Sequence, residues 1–116
     1  MRDMYEVLDR WGAWAAAENS GVDWQPVAAG FKRLLPHGRK SRIQCDDEGI
    51  IIDGCVARLR KYKPAEYELI IAHFVVGISL RTIAKKRKCS DGTVRKDMQT
   101  AMGFIDGCLS FFYLIQ

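Results

Sequence analysis

The feature that most constrains the fold lies at residues 79–105, where two stretches of helical periodicity each begin at a serine and stand three or four residues apart. Ser79 can cap a short helix from Leu80 to about Arg87, and Ser90 a second from Asp91 to about Ile105, which leaves a turn around Lys88 and Cys89. Helices joined so tightly must cross steeply, and the crossing needs a small residue. Ala84 fits that place, with Ile83 beside it as an apolar anchor. In the second helix Val94, Met98, Ala101, Met102 and Ile105 fall on one side. The opposite side carries Gly92, Lys96, Gln99 and Gly103, bordered by Thr93 and Thr100 on one edge and Arg95 on the other. The outline is that of a helix-turn-helix.

Upstream the pattern stays helical. Val7, Leu8, Trp11, Trp14 and Ala15 recur at helical spacing in a first helix expected from Asp3 to about Glu18, stopped by Asn19, Ser20 and Gly21. A short second helix is expected from a cap at Asp23 to before Pro36, with Val27, Phe31, Leu34 and Leu35 as its apolar face. A third runs from Asp46 to about Tyr62. Its acidic start and its Arg58, Arg60 and Lys61 near the end suit the helix macrodipole, and Ile51, Ile52, Cys55, Val56 and Leu59 form its stripe. Pro64 opens a fourth whose Leu69, Ile70, Phe74 and Val75 face inward, and Gly77 is its left-handed stop. No run alternates with period two, so the expected class is all-α, a compact helical domain of five to six helices with a C-terminal helix-turn-helix. One domain over residues 1–116 is expected: N-terminal helices to residue 63, carrying an exposed basic loop at 36–45, and the helix-turn-helix region from 64 onward.

Several function classes are excluded at this level. The longest stretch without a formal charge, Leu69 to Leu80, has twelve residues, whereas a bilayer span needs about 20. The N-terminal MRDMYEVLDR lacks the apolar core of a secretory signal, so a cytoplasmic setting and no membrane partner are expected. Cysteines 45, 55, 89 and 108 show no CxxC spacing and read as small buried hydrophobes in a reducing compartment. His37 and His73 are far apart and accompany no recognisable nucleophile, phosphate loop or zinc spacing. Neither catalysis nor a cofactor is expected.

Charge points instead to a polyanion. The net +4 is unevenly spread: residues 1–30 are net −3, whereas residues 79–96 hold seven bases against one acid, Asp91. Within that segment Thr93, Arg95, Lys96 and Gln99 are candidates for contact with base edges in a major groove. Arg81, Lys85, Lys86, Arg87, Lys88, Ser90 and Thr100 are candidates for phosphates. A second basic group, Lys32, Arg33, Arg39, Lys40 and Arg42, is either a solvated loop or a contact for RNA or a protein partner. Trp11 and Trp14 read as core, and Trp24 as a candidate exposed anchor for a protein partner.

The string SLRTIAKKRKCSDGTVRKDMQTA resembles the helix-turn-helix of sigma factors in the domain that reads the −35 element. It departs at Lys88, where a glycine commonly makes the turn, and at Arg87, where an apolar residue commonly packs. A wider set of blocks spans nearly the whole chain: Met-Arg-Asp leading to Leu-x-Arg-Trp-Gly-Ala-Trp-Ala at 8–15, Ala28-Ala29-Gly30-Phe31-Lys32, Ser41-Arg42-x-Gln44-Cys45-x-Asp47, Gly54-Cys55-x-Ala57-Arg58-Leu59 and Cys89-Ser90-Asp91. Together they resemble the short class of lambdoid phage antitermination protein Q. That resemblance implies a protein that binds a double-stranded DNA element near a late promoter, engages bacterial RNA polymerase paused with its sigma factor, and travels with it so that terminators are read through. Action near the RNA exit channel, with nascent RNA as a further candidate partner, is also implied. The same motif would serve a repressor or activator acting only at initiation, or an adaptor docking on polymerase.

Overall fold

A computed structural model of the protein describes residues 3–16, 27 and 46–114, and every regular element among them is helical. Helix α1 is Met4–Trp14, α2 Asp46–Tyr62 and α3 Pro64–Ile70, which continues directly into a π-helical segment, Ile71–Val76. α4 is Leu80–Arg87 and α5 Asp91–Leu114. The expected helix between Asp23 and Pro36, the basic loop at 36–45, Trp24 and His37 lie outside the described residues, except that Val27 is helical and buried.

Asp3 is the N-cap of α1 and not its first helical residue: its carboxylate accepts the backbone N–H of Tyr5 at 3.1 Å and of Glu6 at 3.3 Å. Leu8, Trp11 and Trp14 turn into the core, as their spacing predicts. Between the two tryptophans Gly12 allows α1 to lie directly on the π-helical segment. A Cβ at Gly12 would stand 1.9 Å from the carbonyl oxygen of Phe74, a distance no side chain can occupy. The approach is fastened by His73. Its Nδ1 lies 2.8 Å from the carbonyl oxygen of Ile78, which can only accept, so Nδ1 carries the proton. In the neutral ring Nε2 is then free to accept from the Tyr5 hydroxyl at 2.6 Å. His73 is half-buried and serves as a joint between α1 and the segment that follows α3.

That segment ends at Gly77, whose φ of 93° is the left-handed stop that the sequence suggests. The wider π-helical winding carries over into the cap, where the N–H groups of Gly77 and Ile78 both reach the carbonyl of Ala72, at 3.0 and 2.9 Å. One hydrophobic cluster contains residues from every described helix, including Leu8, Val56, Leu59, Leu69, Ile70, Ile83, Val94 and Ile105. The expected stripe of α2 holds, with Ile52, Cys55, Val56 and Leu59 buried and Ile51 half-buried.

α5 is longer than its sequence suggests, ending at Leu114 and not near Ile105. Leu109, one turn beyond Ile105, is only 3% exposed and prolongs the buried stripe, so Gly107 does not stop the helix. At 24 residues α5 is about 36 Å long. Its second half packs with α2 around an apolar cleft of about 420 Å³ lined by Ile50, Ile51, Cys55, Cys108, Phe111 and Phe112, among others.

Candidate nucleic-acid interface

The helix-turn-helix is built by two serine caps and one left-handed residue. Ser79 Oγ accepts the Thr82 N–H at 3.2 Å and donates to the Thr82 hydroxyl at 2.8 Å, which starts α4. Ser90 repeats the device for α5, accepting the Thr93 N–H at 3.1 Å. Between them Lys88 adopts φ 57°, ψ 45°. Its N–H reaches the Lys85 carbonyl, and the Cys89 N–H reaches the Ala84 carbonyl at 3.0 Å, a Schellman ending. The turn geometry is therefore kept without the glycine common at this place. Ile83 and Ala84 are buried where α4 meets α5.

On α5 the two sides separate as the spacing predicts. Val94, Met98, Ala101 and Ile105 are buried and Met102 half-buried, while Gly92, Thr93, Arg95, Lys96, Gln99, Thr100 and Gly103 are exposed. The core holds one side so that the other stands in solvent as a polar strip. Arg81, Lys85, Lys86, Lys88 and Ser90 are also exposed.

Some of the sequence candidates carry intramolecular duties. Arg87 is half-buried, and its Nη2 donates to the carbonyl of Ala65 at 2.9 Å, tying the end of α4 to the start of α3. The position that would ordinarily pack an apolar residue is thus filled by a guanidinium with a backbone partner. Thr100 Oγ1 donates its hydrogen to the Lys96 carbonyl at 3.2 Å, so a phosphate would compete with that bond. Ser90 Oγ and Thr93 Oγ1 lie 3.0 Å apart and share one hydrogen, leaving the other hydroxyl hydrogen available. Lys32, Arg33, Arg39, Lys40 and Arg42 lie outside the described residues.

Elsewhere the chemistry is sparse. Cys55, Cys89 and Cys108 are free thiols, and burial, reinforced by the neighbouring Cys108, pushes Cys55 up to about 11. Among the described residues no three His, Cys, Asp or Glu side chains are grouped to hold a metal, and no helix is long and apolar enough to cross a membrane.

The sequence profile described as Phage antitermination protein Q matches residues 1–114. The chain belongs to the phage antitermination protein Q family. Its function is transcription antitermination, a regulatory role. It is 51% identical over 111 residues to a probable antitermination protein Q of Acyrthosiphon pisum secondary endosymbiont phage 1, covering 94% of this chain and 75% of that protein. It is 47% identical to the prophage antitermination protein Q homolog QuuD of Escherichia coli (strain K12), covering 94% and 87% respectively. Antitermination protein Q of Escherichia phage 933W is 44% identical, with coverage of 94% and 76%. Among solved structures, transcription antitermination factor Q21 shares the fold with a TM-score of 0.65 at 18% identity, over 97% of this chain and 91% of that one. The helical architecture thus persists where most side chains differ.

Proposed function

We propose that the protein binds duplex DNA near a phage late promoter through the exposed face of α5, and from there joins RNA polymerase paused with its sigma factor. It then stays with the elongating enzyme, so that terminators downstream are read through. One observation carries the reading: Thr93, Arg95, Lys96 and Gln99 stand together in solvent on a helix whose other side is fixed in the core. A protein that acts on selected transcripts needs a means of choosing its template, and a rigid polar strip of groove-filling width supplies one. Arg81, Lys85, Lys86 and Lys88 hold phosphates around that strip. Ser90 and Thr100 contribute by exchanging their internal hydrogen bonds, and Arg87 through the N–H groups that Ala65 does not engage.

Lys32, Arg33, Arg39, Lys40 and Arg42 are assigned to polymerase or to nascent RNA near its exit, where obstructing hairpin formation would disable an intrinsic terminator. No chemical step is assigned to the protein, its setting is the bacterial host cytoplasm, and the shared core supports reading the chain as one domain.

A purified transcription reaction tests this, on a template with the late promoter and a downstream intrinsic terminator, with and without the upstream DNA element. Readthrough that requires the element is expected. Readthrough indifferent to the element would reassign the helices to docking on polymerase, and altered initiation with unchanged termination would favour a repressor or activator. An Arg39→Ala, Lys40→Ala, Arg42→Ala variant should keep DNA binding and lose readthrough.

A further inference from the structure

The corner between α2 and α3 carries a basic cluster that the helix-turn-helix does not include. Arg58, Arg60, Lys61 and Lys63 are all exposed within six residues that contain no acid, and the nearest acids downstream are Glu66 and Glu68. Tyr62 between them is 65% exposed. Its ring has two neighbours, Phe104 of α5 with ring centres 6.4 Å apart and Lys61 with Nζ 5.6 Å from the ring centre. Arg60 lies over the buried Tyr67 at 5.8 Å. The cations therefore stand on a corner fixed at several points.

That corner is continuous with the proposed interface. Arg87 joins it to the end of α4 through the Ala65 carbonyl, two residues from Lys63. Phe104 joins it to α5 one turn beyond Thr100, on the flank that also carries Thr93. From Thr93 to Phe104 the helix rises about 16 Å, whereas a major groove is about 12 Å wide. In a helix-turn-helix the N-terminal residues of the second helix meet base edges, and on such a seating side chains beyond Thr100 on this flank would meet phosphates.

We propose that Lys61 and Lys63, steadied by Tyr62 and Phe104 and assisted by Arg60, form a second phosphate clamp on the duplex whose groove α5 enters. The inference rests on the DNA-reading role proposed for α5. It gives that role a footprint longer than the helix-turn-helix alone would make.

The test is the salt dependence of duplex binding by the full chain, measured by fluorescence anisotropy on a late-promoter duplex and on a scrambled one. Lys61→Gln with Lys63→Gln should lower the slope of log affinity against log salt by about 2 on both duplexes, since each lost phosphate contact removes about one counterion. The preference for the late-promoter duplex should not change, and the melting temperature should fall by only a few degrees for the lost contacts of Lys61 with the Tyr62 ring and the end of α2. A wild-type protein that binds duplex with a steep slope, beside a double variant with the same slope, would overturn the clamp and leave the role of α5 standing. A wild-type protein that binds no duplex would overturn both. Loss of binding to a single-stranded RNA of 20 nucleotides, with duplex binding intact, would also overturn it and reassign Tyr62 as a stacking platform.

Discussion

Lys88 holds φ 57° in the turn before α5, a conformation that an L-residue adopts at a cost of roughly 1 kcal/mol and a glycine adopts freely. A cation kept there in spite of that cost is expected to contribute something that glycine cannot. Lys88→Gly should stabilise the fold by about 1 kcal/mol in chemical denaturation. The same change should weaken duplex binding on every sequence and lower its salt slope by about 1. Stability gained with binding unchanged would remove Lys88 from the phosphate set. Cys55 makes a prediction of another kind. Its thiol stays protonated in the folded chain up to a pH of about 11, but ionises around its ordinary value of 9.0 in the unfolded chain. Between those values the unfolded chain has shed a proton that the folded chain retains. The contribution to stability is thus fully present below about pH 9 and falls as pH rises toward 11. Denaturation midpoints measured from pH 8 to pH 11 should decline more steeply for the wild type than for Cys55→Ala.

At the level of whole helices, much was legible because it is written in local chemistry. Ser79 and Ser90 announce their helices by hydroxyls that can accept first-turn N–H groups, and Gly77 announces a stop. The buried stripes of α2 and α5 follow from spacing alone. What could not be read depends on neighbours distant in the chain. The π-helical winding of Ile71–Val76 accompanies the close seating of α1, and no periodicity encodes it. The distal half of α5 holds its helix by packing Leu109, which a reading stopped at Ile105 leaves out. Arg60 and Lys61 were legible only as partners of the α2 macrodipole, since their nearness to α5 passes through Tyr62 and Phe104. The internal bond of Arg87 likewise spans 22 residues. Two substitutions test these long-range features. Gly12→Ala should cost about 3 kcal/mol or more, because the added methyl falls on the Phe74 backbone and not on a side chain that could swing aside. Leu109→Ala should cost about 3 kcal/mol if α5 packs to its end, and close to nothing if the helix stops near Ile105.

Across the whole molecule, the architecture gives rigidity to one face. α1 and the π-helical segment lock together through Gly12 and His73, α2 and α3 pack behind them, and the shared core reaches α5 through Val94, Met98 and Ala101. Residues 79–96 hold seven bases against one acid, so a polyanion is drawn to the helix-turn-helix. The likeness to antitermination factor Q21 at 18% identity indicates that the scaffold tolerates extensive exchange of side chains. The central claim is that this strip selects the DNA. Its most direct test compares the affinities of Lys96→Ala and Gln99→Ala for the late-promoter duplex and a scrambled duplex at one salt concentration, in proteins of unchanged melting temperature. Each substitution should cost roughly 1–3 kcal/mol on the late-promoter duplex and much less on the scrambled one. Equal affinities for both duplexes, before and after substitution, would contradict the account.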